Sequence, residues 1–222
     1  VIRTLSSQRL LLVVLVLLLL SALVVWFAPP EKTMGYGIRP VYVHVALIWT
    51  GLFGLLAVTG LGLWLGVSGQ TAIWAWLESA GWVTLGFLIA SFVVSIFAQI
   101  INWNGIFLDE PRMQAMIRVM VVFSLVHIAQ RWLPNVRWRG WVMAVASPVL
   151  LFTLRVSPLV LHPDDPISVA VSLPIQLTFI TLFILLIMVA ILLVLQLQSV
   201  NRLTLFPTLW HNAAHNGKDR AE

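Results

Sequence analysis

Two histidines in very different settings are the side chains best suited to chemistry. His44 sits in Tyr42-Val43-His44-Val45, a few residues inside an apolar run, and His162 sits in Leu161-His162-Pro163-Asp164-Asp165-Pro166. A histidine inside a membrane span is costly without a partner or a task, so His44 reads as a ligand for haem iron or another metal through one ring nitrogen. The prolines around His162 make a rigid extended turn, and Asp164 or Asp165 could orient its ring as an acceptor. Between them lies the segment Trp103-Asn104-Gly105-Ile106-Phe107-Leu108-Asp109-Glu110-Pro111-Arg112. Trp103 and Phe107 offer flat apolar faces, and Asp109 and Glu110 offer a pair of carboxylates. Each residue also has an ordinary reading: an interfacial histidine bonded to a carbonyl, a solvated loop, an aromatic belt, loop charges beside Arg112.

The elements that must carry these residues are membrane spans. Of 222 residues, 60% are hydrophobic and 9% charged, against roughly 25% charged in soluble domains. Such a chain cannot hide its apolar side chains in one soluble core. We expect an all-α, polytopic integral membrane protein with six transmembrane helices over about 10–28, 41–65, 80–101, 113–132, 140–160 and 172–198. The residues 1–222 form a single membrane domain with no internal repeat, and 201–222 form a polar cytoplasmic tail. The first span resembles a signal peptide, but its apolar run is long and ends in Pro29-Pro30 rather than in small residues, so we expect a retained helix. The stretch 66–79, with Trp74, Trp76 and Glu78, reads as a short interfacial helix or turn.

Basic residues set the orientation. Eight of them (Arg3, Arg9, Arg131, Arg137, Arg139, Arg202, Lys218 and Arg220) fall on one side, and three (Lys32, Arg39 and Arg112) on the other. That excess puts both termini in the cytoplasm of a plasma (inner) membrane protein. His44, His162 and the 102–112 loop then share the outer face. Arg39, Arg112, Arg118 and Arg155 cluster toward that face, where guanidinium groups suit carboxylates such as haem propionates, or lipid phosphate. The net charge of +5 serves orientation in this setting, and no nucleic-acid binding is expected.

Other chemistry is limited. With no cysteine in the chain, disulfides, thiolate metal sites and covalent haem attachment are excluded. His127, deep in the fourth span, reads as bonded to a neighbouring helix, with an intramembrane ligand as the alternative. His211 and His215 have i, i+4 spacing but no third ligand nearby. No Walker sequence, dinucleotide fingerprint or nucleophile elbow is present, and no enzymatic activity is expected.

Taken together, these windows resemble the cytochrome c assembly family, in particular its haem exporter protein C type. The family's first histidine lies in a Tyr-Ile-His-Val-Pro-like segment, matched here by Tyr42-Val43-His44-Val45-Ala46. Its second lies in a Leu-His-Gln-Pro-like segment, matched by Leu161-His162-Pro163. The family's loop, Trp-Gly-x-Trp-Trp-x-Trp-Asp, sets against 103–110 with only Trp103 kept as tryptophan, Phe107 in a conservative exchange and Glu110 where aspartate is expected. The resemblance runs in order over about 36–200. It implies non-covalent haem b binding and delivery at the outer face for cytochrome c biogenesis. His44 and His162 would be axial ligands. Trp103, Phe107, Glu110, Arg112, Arg39 and Arg155 would complete the haem site. The implied partners are ATP-binding-cassette (ABC) transporter subunits, a small haem-binding membrane subunit and a haem chaperone, all within membrane lipid. Two other readings stand beside it: a non-haem structural subunit of an ABC-type transporter, and a cytochrome b electron carrier, which would need facing histidines inside the bundle.

Overall fold

The computed structural model describes residues 7–158, 160 and 172–218. In lipid every backbone N–H and C=O must be satisfied internally, so long apolar segments can only be helical here. Six helices follow: α1 (Ser7–Trp26), α2 (Ile38–Ser68), α3 (Thr71–Trp103), α4 (Pro111–Ala129), α5 (Val136–Val156) and α6 (Leu173–Lys218). A 3₁₀ turn, Gln130–Trp132, extends α4. All six are long and apolar enough to cross a membrane, and no strand occurs among the described residues. The chain is an all-α, multi-pass membrane protein.

The helix ends follow local chemistry. Gly69, at φ 67°, caps α2 in the left-handed region and donates its N–H to the Leu65 carbonyl. Asn104, at φ 53°, ends α3 the same way, and asparagine is among the few side-chain-bearing residues that tolerate that conformation. Pro111 opens α4, where a missing N–H costs nothing. Asn135 caps α5 by accepting the Arg137 N–H at 2.9 Å.

Three boundaries differ from the sequence expectation: α5 starts at Val136 rather than about 140, α6 runs on to Lys218 through most of the expected tail, and the third lies between α2 and α3. The stretch 66–79 is not a separate interfacial element. Only Gly69 and Gln70 separate α2 from α3, so Trp74, Trp76 and Glu78 belong to the first turns of α3. The buried Glu78 carboxylate is neutralised by Arg131, which lets the helix begin well before the apolar run.

Helix α2 is the centre of the bundle and packs against α3, α5 and α6. One core cluster joins α1, α2, α3 and α6 around Tyr42, Ala46 and Leu182. A second joins α2, α3, α4 and α5 around Leu55, Leu88, Phe123 and Met143. Small residues bring α2 and α5 into near-backbone contact: a Cβ on Gly62 would lie 2.8 Å from the Ala144 nitrogen and the Gly140 oxygen. Large apolar side chains on α1, such as Leu12, Leu15 and Leu19, are exposed, as expected of surface that meets acyl chains.

Candidate functional site

The α1–α2 and α3–α4 connections and the C-terminal end of α5 lie together at one end of the bundle. His44 lies six residues into α2 at that end, half-buried against α3. Its Nδ1 is 3.0 Å from the Ser91 carbonyl oxygen and 3.1 Å from the Ser91 hydroxyl. A carbonyl can only accept, so Nδ1 carries the hydrogen, and in the neutral form of the ring the lone pair falls on Nε2. The Ser91 hydroxyl returns to the His44 carbonyl at 3.3 Å. This closed pair fixes both ring orientation and tautomer.

Ser91 begins a polar stripe along α3 that the sequence reading missed. Ser91, Ser95, Gln99 and Asn102 recur at i, i+4, i+8 and i+11, which puts them on one helix face. Ser95 bonds to the Phe92 carbonyl and approaches the Met113 sulfur of α4 at 3.5 Å. Gln99 is fully buried and accepts the Phe107 N–H at 2.8 Å, which anchors the aromatic loop. Asn102 donates to the Gly37 carbonyl at 2.9 Å, joining the end of α3 to the start of α2. The regular spacing was the available signal.

Glu110 and Arg112 stitch the same end to the exit of α5. Glu110 is buried, and its Oε1 accepts the Val160 N–H at 2.9 Å. Arg112 donates from its terminal nitrogen to the Ser157 carbonyl at 2.9 Å. These bonds hold Ser157 and Val160, the latter two residues short of His162, beside the loop that ends at Glu110. His162 itself, with Asp164 and Asp165, lies outside the described residues.

The other expected site residues are placed as follows. Trp103 is the last residue of α3, at the edge of exposure, and Phe107 is half-buried with its ring over Gly105. Arg39 donates to the Trp26 carbonyl at 2.6 Å, and its guanidinium lies 4.5 Å from the centre of the Tyr36 ring. Arg155 is exposed near the end of α5. Arg118 is exposed on α4, and its side chain turns back toward Gln114. Outside the spans, the Thr33 hydroxyl and the backbone N–H groups of Met34 and Thr33 hold the Glu31 carboxyl below its ordinary range.

The opposite end holds a second polar cluster. Glu78 accepts from Trp82 Nε1 at 2.9 Å, Gln130 Nε2 at 3.0 Å and Arg131 Nε at 2.7 Å, with the terminal Arg131 nitrogen paired to the same carboxylate. His127 is fully buried, and its Nε2 stands 3.7 Å from Glu78 Oε1. The bond to a neighbouring helix expected for it is not formed with normal geometry at either ring nitrogen; the ring packs against α3 at Gly81, beside the Glu78 backbone. His127 is 16 residues into α4 and His44 six into α2, so their depths along the bundle differ by about 15 Å at the helical rise. They cannot share one iron. No group of three or more possible metal-ligating side chains occurs among the described residues.

Comparison of the chain with protein-family models and with curated proteins finds no match.

Proposed function

We propose that this protein handles haem b non-covalently at the His44 end of the bundle, as a membrane component of cytochrome c biogenesis. The observation that carries the reading is the His44–Ser91 pair. A ligating imidazole characteristically donates its other N–H to a carbonyl, which sets the tautomer and raises the basicity of the ligating nitrogen. His44 has that donor arrangement. The donor set therefore fits haem iron, which takes neutral imidazole.

In this reading His44 Nε2 would be one ligand to the iron and His162 the other. Trp103 and Phe107 supply aromatic surface for the porphyrin, and Arg39 and Arg155 supply charge for the propionates. Glu110 and Arg112 act by position, since their bonds to Val160 and Ser157 hold the approach to His162. Haem is cargo, and the protein performs no catalysis. The excess of basic residues at the opposite end would place the His44 end outside a plasma (inner) membrane with both termini cytoplasmic. ABC-transporter subunits, a small haem-binding membrane subunit and a haem chaperone are the partners this role requires.

The test is a visible spectrum of the detergent-purified chain after haem addition, beside a His44→Ala, His162→Ala double variant. A Soret band in the parent that is lost in the variant supports the proposal. A band of equal height in both, or in neither, overturns it. Absence from both would favour a structural transporter subunit.

A further inference from the structure

We propose that Glu78, His127 and Arg131 form a proton-binding exchange site at the end of the bundle remote from His44, and that proton uptake there releases Arg131 and Trp132 of the 3₁₀ turn while Gln130 stays bonded to Glu78. The proposal is independent of the haem reading.

The geometry is that of two cations with one anion between them. Arg131 holds the Glu78 carboxylate with two nitrogens, and its side chain is 44% exposed. Its guanidinium can therefore move into water without stranding a charge. His127 faces the same Oε1 from within the bundle, 3.7 Å away, with the Glu78 backbone beside the ring but no hydrogen bond of normal geometry at either ring nitrogen. A charge-assisted bond needs about 2.8 Å, so the neutral ring stands roughly 1 Å short of one. A buried polar group without a hydrogen bond is uncommon and needs a reason.

Two aromatic rings flank the imidazole. His127 stacks on Phe123 at 5.8 Å between centroids and meets the Trp82 ring edge-on at 5.0 Å. Space for the ring is made by Gly81, where any Cβ would collide with the imidazole. The charged and titratable groups around the ring are Glu78 on α3, Arg131 in the 3₁₀ turn and, acting through Glu78, Arg139 on α5. Arg139 is committed elsewhere: it donates to the Leu133 carbonyl at 2.8 Å and stacks on Trp74 at 4.5 Å.

The exchange balances simply. One proton from solvent adds to the lone pair of the neutral His127 ring. The imidazolium closes on Glu78, and Arg131, protonated throughout, leaves for water. The buried site holds one cation and one anion before and after. Its consequence is mechanical, because Arg131 is the middle residue of the 3₁₀ turn that joins α4 to α5.

The absence of native cysteine makes the test clean. A Trp132→Cys chain carrying a nitroxide label, reconstituted in lipid nanodiscs, is scanned from about pH 8 to pH 5, the range over which histidine ordinarily titrates. The expected result is a gain in label mobility on acidification, lost in a His127→Phe background. A Glu78→Gln background should be mobile at every pH. A parent label whose mobility does not change, or a transition that survives His127→Phe, overturns the proposal. Should His127→Phe fail to fold, ¹⁵N-histidine NMR of a chain with the other four histidines changed to glutamine decides. Its single imidazole must titrate with the midpoint of the label transition, and a ring that stays neutral to pH 5 sinks the idea.

Discussion

Gly140→Ala should loosen the bundle more than any other single added methyl whose cost can be read from its neighbours. The new Cβ would stand 2.5 Å from the Gly66 nitrogen and 2.6 Å from the Gly62 oxygen, both backbone atoms of α2. Backbone cannot rotate away as a side chain can, so the helices must separate by about 1 Å to restore ordinary contact. A gap of that size forfeits a quarter to a half of each dispersion contact along the crossing. Overpacking of this kind costs about 1–3 kcal/mol, and the absence of any flexible neighbour argues for the upper part of that range. The assay is reversible unfolding of the detergent-solubilised protein, with Gly60→Ala as the control. Gly60 has open space around its Cβ position, so alanine there should be neutral or slightly stabilising. Parent-like stability for Gly140→Ala, or an equal loss for both variants, would refute the account of the α2–α5 contact.

Three further outcomes are expected at the His44 end. Glu110→Ala removes the acceptor of the Val160 N–H, so exchange of that amide should accelerate about five-fold or more, equivalent to the ~1 kcal/mol of a lost hydrogen bond; unchanged protection would show that the bond holds nothing. Asn102→Leu breaks the link to the Gly37 carbonyl and should cost about 1 kcal/mol in the same unfolding assay, whereas no change would leave the α2–α3 junction unexplained. Glu31 has a depressed carboxyl pKa, so the turn it organises is favoured at neutral pH and loses that support as the pH falls through the folded value, below the ordinary 4.5. Thr33→Val should move the Glu31 titration, followed by carboxyl NMR, upward toward 4.5; an unmoved midpoint would remove the Thr33 hydroxyl as the principal cause.

The six helices were legible because lipid leaves an apolar run of about 20 residues no other conformation. Their ends were less so. Trp74, Trp76 and Glu78 look like interface by type, and the reason they are helical comes from Arg131, 53 residues away in sequence. Side-chain types also located His44 but not its partner. Ser91 is an unremarkable serine until the α2–α3 register sets it opposite the imidazole, and that register depends on close approach at Gly51 and Gly54, where α3 side chains fill the missing Cβ positions. The stripe from Ser91 to Asn102 was different. Its helical period was visible in the sequence, and a polar face in so apolar a span had to meet other polar groups.

Helix length explains why the two polar clusters sit where they do. At 31 and 33 residues, α2 and α3 are about 46 and 50 Å long, against a hydrocarbon core of about 30 Å. Centred on the bilayer and upright, each would extend about 8–10 Å beyond the core at either end. His44 lies about 9 Å from the start of α2 and Glu78 about 10 Å from the start of α3, which is the opposite end. Along α3, however, Ser91 beside His44 and Glu78 are 13 residues or about 20 Å apart, so the two clusters lie in opposite outer parts of the hydrocarbon, each about 5 Å inside its boundary. That depth lowers the cost of an ionisable side chain relative to the bilayer centre and leaves each cluster a short path to water. It also separates the two uses proposed for them. A ligand arriving at His44 comes from one side of the membrane, whereas a proton reaching His127 comes from the other. Quenching by lipids carrying nitroxides at graded depths would locate a fluorophore placed at Trp103 and one placed at Trp132. Both should be quenched most strongly near the headgroups. Strongest quenching by mid-chain labels at either position would put its cluster near the bilayer centre and undo this assignment of depth.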